Sequence, residues 1–201
     1  MKKFFYPSSV AIFASMKEGK TGYEIIKNMV EGGFKGKIYP ISKSSEGKVF
    51  QLEVYSDYQD LEIDLAIIAI PEKFIPTLLE DLGKKGVPRI IIISAGFSEV
   101  GNREGEEAIK DIARKYHMRV IGPNCAGIMN TENNLFTSIE VRALPGKTAF
   151  ITQSGALGGA VLMMAEELDF GFSKFVSFGN RCNVGEIDPQ TKGIALYIES
   201  W

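Results

Sequence analysis

Apolar residues recur along this chain in two alternating patterns. Short β-branched runs, Val10 to Ala14, Ile38 to Ile41, Leu65 to Ile70, Arg89 to Ser94 and Arg119 to Ile121, read as strands. Between them, apolar stripes repeat at helical spacing: Ile25, Ile26, Met29 and Val30; Ile75, Leu78, Leu79 and Leu82; Ile109, Ile112, Ala113 and Tyr116. The runs Leu65-Ala-Ile-Ile-Ala-Ile70 and Ile90 to Ile93 have no polar alternation, as strands covered on both faces require. Strand and helix alternation with right-handed crossovers predicts an α/β fold, a Rossmann-like doubly wound parallel sheet over residues 1–145. The ligand of such a sheet lies beyond the carboxyl ends of its strands.

Leu144-Pro-Gly-Lys147 supplies turn residues, and a second unit is expected over residues 146–201. Thr148 to Thr152 reads as its first strand. Ser154-Gly155 then opens a helix with apolar positions Leu157, Val161, Met164, Ala165 and Leu168, and Phe172 to Ser177 returns as a strand, completing a βαβ unit. A third strand, Ile194 to Ile198, follows Phe178 after a segment rich in Gly, Asn, Asp and Pro with no helical stripe, so a parallel return to the same sheet is not expected by the usual helical crossover. The second unit therefore reads as incomplete, with apolar surface left for another chain or a second copy, and at least a dimer is expected.

Composition narrows the functions available. With 201 residues, 45% hydrophobic and 24% charged, the chain suits one full globular domain plus part of a second. Its 23 basic and 25 acidic side chains give a net charge of -2, so no basic field holds nucleic acid and any anion must be bound locally. The opening MKKFFYPSSVAIFAS begins basic and turns apolar, but Pro7, Ser8 and Ser9 break the run and no small-residue cleavage site follows. No apolar stretch approaches the length of a membrane span, and a cytoplasmic location is expected. Cys125 and Cys182 are the only cysteines and His117 the only histidine, too few for a zinc cage or a disulfide framework, so no metal is expected. Late in a helical stretch, His117 reads as a surface residue favoured by the helix dipole.

Candidate chemistry gathers at the strand ends. After the first strand, Ser15-Met-Lys17-Glu-Gly19-Lys20-Thr21-Gly22 leads straight into a helix. Glycines let backbone N–H groups approach a phosphate, the helix dipole favours its charge, and Lys17, Lys20 and Thr21 can add hydrogen bonds. The segment is neither G-x-G-x-x-G nor a Walker loop, and an ordinary βα turn would look the same. After the second strand, Pro40-Ile-Ser42-Lys43-Ser44 offers no acidic residue for an NAD ribose. It suits a ribose phosphate, as in coenzyme A (CoA) or NADP, with a solvated lysine as the plain alternative. Ile70-Pro71 with Phe74, and Ser94-Ala95-Gly96 with Phe97, can pack against adenine or a pantetheine arm; each phenylalanine serves equally well in a core.

Three segments carry a family resemblance: Ile121-Gly-Pro-Asn-Cys-Ala-Gly127, Gln153-Ser-Gly-Ala-Leu157 and Ile194-Ala-Leu-Tyr-Ile-Glu199. In that order they resemble succinyl-CoA synthetase α-subunits, and the match to ADP-forming acetyl-CoA synthetases, within the NDP-forming acyl-CoA synthetases, is closer. The resemblance implies a CoA-binding first domain and a partial flavodoxin-like ligase domain after it. It places CoA phosphates at Lys20, Thr21 and Gly22, the charged nucleotide end at Lys43, and the ligand along Pro71 and Ser94 to Gly96. Asn124 and Cys125 match a motif near the thioester end, where Cys125 reads better as a buried structural thiol than as a nucleophile. Ser154 and Gly155 match one of two helix N-termini that hold a phosphohistidine in the family, and Glu199 matches the glutamate that steadies it. The resemblance implies a further partner, an ATP-grasp unit of the β-subunit type.

Three departures accompany it. Phe13 stands where the family usually has glycine, which predicts a narrowed phosphate loop. The helix expected between Asn180 and Ile194 is missing, and so is the phosphohistidine, so acyl-CoA synthesis is not expected from these residues alone. A CoA or acyl-CoA binding protein is the leading expectation. An NAD(P)-binding oxidoreductase or redox sensor, or a purely structural subunit, would use the same fold; the former needs a proton donor and an acidic ribose ligand that the sequence does not offer.

Overall fold

The computed structural model describes residues 2–180 and 193–197. In chain order the elements are α1 (Lys2–Phe5), β1 (Ser9–Ala14), α2 (Thr21–Gly32), β2 (Lys37–Ile41), β3 (Lys48–Val49), β4 (Leu52–Glu53), β5 (Leu65–Ala69), α3 (Ile75–Lys85), β6 (Arg89–Ile92), α4 (Arg103–Lys115) and β7 (Arg119–Ile121). There follow β8 (Gly127–Asn130), β9 (Leu135–Thr137), β10 (Pro145–Thr152), α5 (Gly155–Glu167), β11 (Phe172–Ser177) and β12 (Gly193–Tyr197).

The first sheet is wholly parallel, in the order β2-β1-β5-β6-β7. The order reverses between β1 and β5, and a doubly wound sheet opens its ligand crevice at such a point. Alternate residues of β1 serve opposite cores. Val10, Ile12 and Ala14 pack with Ile25, Ile26 and Met29 of α2, whereas Ala11 and Phe13 pack with Ile75 and Leu79 of α3. Both faces are thus covered, which is why β5 and β6 carry only apolar side chains in their middles. The helices stop where the backbone is most permissive: α2 ends on Gly33 (φ 83°) and α3 on Gly86 (φ 82°), both left-handed.

The second sheet runs β12-β10-β11-β8-β9. Its β10, β11 and β12 are parallel, while β8 and β9 form an antiparallel hairpin on β11. One face, with Ile128, Leu135 and Val176, joins the core beneath α2; the other, with Met129, Phe150 and Phe175, packs on α5. Residues 127–137 precede the division expected at residue 145, yet they hydrogen-bond into this second sheet.

Two expectations are corrected. The third strand does rejoin its sheet in parallel, with Thr148 opposite Gly193 and Thr152 opposite Tyr197. The segment that carries it there, where a helix was judged missing, lies outside the described residues. In α5 the buried side is Gly158, Gly159, Leu162 and Ala165, while Met164 and Leu168 of the expected stripe are 59% and 74% exposed. Small residues win the sheet side because the approach is close: a Cβ on Gly158 would lie 2.9 Å from the Phe175 ring. No helix among the described residues is long and apolar enough to cross a membrane.

Gly127 pins the hairpin to the chain. Its φ is +93°, and a Cβ there would lie 2.0 Å from the Thr137 carbonyl oxygen. Gly127→Ala is expected to cost about 3 kcal/mol, combining a left-handed residue with overpacking. Urea denaturation measures it, and an unchanged midpoint would show that the hairpin carries no such constraint.

Candidate functional site

Where β1 ends, α2 begins with almost no clearance. A Cβ on Gly22 would lie 2.6 Å from both the Ala14 Cβ and the Ser15 carbonyl oxygen, so only glycine lets the first turn sit there. Lys20 occupies the N-cap with no side-chain cap, and its carbonyl accepts the Glu24 N–H at 3.1 Å. The N–H groups at the head of the helix therefore have no intrahelical acceptor and face outward with the positive end of the dipole. Gly19 reaches this start at φ +73° with open space around it, and Lys17 and Lys20 are exposed beside it.

Beside this turn, at the β1/β5 switch point, lies a cavity of about 560 Å³. It brings together six of the expected residues: Ser15 from the β1 end, Ser42 and Lys43 from the β2 end, and Ile70, Pro71 and Phe74 from the β5 end. Ser42 is buried and Lys43 exposed. Phe74, 52% exposed, is available to a ligand, whereas Phe97, 1% exposed, is a core residue. Phe13 lines the cavity as well, edge-on to Tyr58 at 4.9 Å between ring centroids. It lies on the sheet face opposite α2, so it shapes the crevice and does not narrow the turn that starts α2. Burial, with the charges of Asp81 and Asp57, pushes the Tyr58 hydroxyl above its ordinary value and keeps it a neutral donor. Pro40 is buried within β2, its carbonyl bonded to the Tyr55 N–H, and does not line this cavity.

A second cavity, about 680 Å³, opens where the carboxyl ends of the two sheets meet. Asn124, Cys125, Ser154 and Gly155 line it, with Glu99, Glu140 and Asn180, which sequence reading passed over. Ser154 caps α5, its hydroxyl accepting the Leu157 N–H at 3.3 Å. Cys125 is 6% exposed and its thiol donates to the Ile92 carbonyl at 3.2 Å. The strand tips link the two cavities: the Ser94 hydroxyl donates to the Ile70 carbonyl at 2.6 Å, and the Asn124 N–H donates to the Ser94 carbonyl at 2.9 Å. Ala95 is exposed in the same loop, and the Gly96 N–H is taken by Glu99 at 2.5 Å. Glu199 lies outside the described residues. Among the described residues no cluster of three or more metal-ligating side chains occurs.

Residues 8–131 match the CoA binding domain, and residues 145–201 match the succinyl-CoA ligase like flavodoxin domain. The chain belongs to the CoA binding domain family. It is 47% identical to an ADP-forming acetate–CoA ligase of Methanocaldococcus jannaschii, over 99% of this chain and 30% of the relative. It is 42% identical to the α-subunit of ADP-forming acetate–CoA ligase II of Pyrococcus furiosus, over 98% of this chain and 45% of that one. Among solved structures, the apo dinucleotide-forming acetyl-coenzyme A synthetase 1 of Ca. Korarchaeum cryptofilum superposes with a TM-score of 0.94 at 34% identity, over all of this chain and 46% of that one. The chain thus spans between 30% and 46% of the length of these relatives.

Asn180 closes the second cavity from the β11 side. Its side-chain amide donates to Ser98 Oγ at 3.1 Å, Glu99 Oε2 at 2.5 Å and Glu106 Oε2 at 3.0 Å, and its backbone N–H donates to the Pro123 carbonyl at 2.9 Å. Its place directly after an apolar strand was the available signal; its partners, more than 50 positions away, were not. Burial opposes ionisation of Glu99 and Glu106, but hydrogen bonds outweigh it and hold both carboxyls below their ordinary value. For Glu99 these come from Asn180 and the Gly96 and Phe97 N–H groups; for Glu106, from Ser98, Asn180 and Lys110. Depressed carboxyls stabilise the fold above the unfolded value near 4.5 and lose that contribution as pH falls through the folded value. Asn180→Ala is expected to flatten the dependence of stability on pH between 5 and 3, read by urea denaturation; a slope equal to the parent's would dismiss the latch.

Proposed function

We propose that this chain binds CoA and forms the CoA-binding part of an acid–CoA ligase, running acid + CoA + ATP to acyl-CoA + ADP + phosphate. The observation that carries the reading is the uncapped start of α2, seated on β1 by Gly22, beside a cavity that gathers Ser15, Ser42, Lys43, Ile70, Pro71 and Phe74. In this reading the N–H groups of Thr21 and Gly22, with Lys17 and Lys20, hold the pyrophosphate. Lys43 meets the ribose phosphate, and Phe74 and Pro71 lie against the adenine. The pantetheine arm follows the tips of β5, β6 and β7 past Ser94 to Asn124 and Cys125, a distance of about 10 Å at ordinary strand spacing.

In the same reading the start of α5 at the second cavity, with Ser154 and Gly155, receives a phosphoryl group, and Glu199 belongs to the same proposal. His117 is exposed beyond the end of α4 and lines neither cavity. A phosphoryl-carrying histidine, and the ATP-grasp unit that would exchange phosphate with ADP, therefore come from outside these 201 residues. What the chain itself does is bind and orient CoA.

Calorimetric titration with CoA beside NAD and NADP tests the reading. CoA is expected to bind and to stabilise the native state, by about 2.7 kcal/mol at a hundredfold excess over Kd, while NAD does neither. Lys43→Ala is expected to weaken CoA about tenfold and dephospho-CoA less than twofold; equal losses would remove Lys43 from the ribose phosphate. Assembly belongs to the same proposal, because Met163, Met164, Leu168 and Phe170 leave apolar side chains in water. Light scattering at micromolar concentration is expected to give at least a dimer, and a monomer would count against it.

A further inference from the structure

The cavity between the two sheets has a charge balance that its ligand must satisfy. Among the described residues lining it are two carboxylates, Glu99 and Glu140, and no lysine, arginine or histidine. Glu99 is fully engaged, accepting from the Gly96 and Phe97 N–H groups at 2.5 and 3.1 Å and from Asn180. The Glu140 carboxylate has no hydrogen bond or ion pair among the described residues.

Its backbone, by contrast, is held firmly. The Asn28 amide on α2 donates to the Ser138 and Glu140 carbonyls at 2.8 and 3.0 Å, and the Glu140 N–H donates to Ser138 Oγ at 3.1 Å. Two residues on, Arg142 pairs with Glu31 of α2 at 3.0 Å. The side chain then lies over α5, where a Cβ on Gly159 would stand 2.2 Å from Glu140 Oε2. The glycine thus leaves room for the carboxylate. Burial alone pushes this carboxyl above its ordinary value. A carboxylate without a partner among the described residues, half out of water on a firmly held backbone, gains no pairing energy from them, and such groups concentrate at ligand sites.

We infer that Glu140 sets the acyl class of the site: it admits acyl groups without a second carboxylate and repels those of dicarboxylic acids. The inference rests on the CoA reading, which brings the thioester end to this cavity. No cation among the described lining residues offsets the repulsion, and in a partly desolvated cavity a like charge is felt more strongly than in bulk water.

Butyryl-CoA and succinyl-CoA make a matched pair, four-carbon acyl groups that differ by one distal carboxylate. Titrated into the 201-residue chain at pH 8, succinyl-CoA is expected to bind about tenfold more weakly than butyryl-CoA. Glu140→Gln is expected to bring the two within about twofold by tightening succinyl-CoA alone, with a circular dichroism spectrum like the parent's; Glu140→Ala serves as a second variant should Gln disturb the fold. Equal affinities in the parent, or a ratio unmoved in both variants, would overturn the role of Glu140 while leaving CoA binding intact. Failure of both thioesters and of CoA itself to bind would instead overturn the CoA reading and this inference with it.

Discussion

A contact of methyl size governs this molecule. The first turn of α2 rests on Ala14 and Ser15 so closely that Gly22 has no space for a side chain. That seat makes the turn after β1 short, brings the unsatisfied N–H groups of α2 to the rim of the sheet, and aims them at the crevice where strand order reverses. Lysines placed around a looser start would be ordinary solvated charges. Around this one, Lys17, Lys20 and Lys43 share an edge with oriented amide groups, and an anion found there meets charge and dipole together.

The same helix carries the second consequence at its far end. Asn28 and Glu31 grip residues 138–142 by backbone carbonyls and an ion pair, and that strap forms one wall of the cavity between the sheets. The opposite wall is fixed by Asn180, whose amide reaches α4 and the loop before it. Both walls are thus hydrogen-bonded to the first sheet's helices, although Ser154, Gly155 and Ala156 at the start of α5 line the cavity as well.

The sequence made the first sheet legible and left much of the second obscure, for a physical reason. Strands such as Leu65–Ala69 are buried on both faces, so their apolar runs are unbroken and readable locally. Helices α2, α3 and α4 show their stripes because each has a solvated side. The hairpin β8–β9 is only four and three residues long, and its register depends on β11 some 50 positions away. Helix α5 misled because its glycines, which permit close packing, count as weak in any apolar stripe. At the site, residues at strand tips were legible because a doubly wound sheet always presents its tips to a ligand. Pro40 was not, since it sits one turn of the pleat too early and inside β2. Glu140 lies in a segment without periodicity, and its placement comes from Asn28 of α2 and from Ser138.

Residues 127–137 leave the first sheet's last strand and immediately complete the neighbouring one, before the chain has reached the turn at Pro145. The two sheets therefore overlap along the chain as well as in space. A recombination event or a gene split at residue 145 would hand the hairpin to the wrong offspring, leaving one fragment with an orphan ribbon and the other with a bare β11.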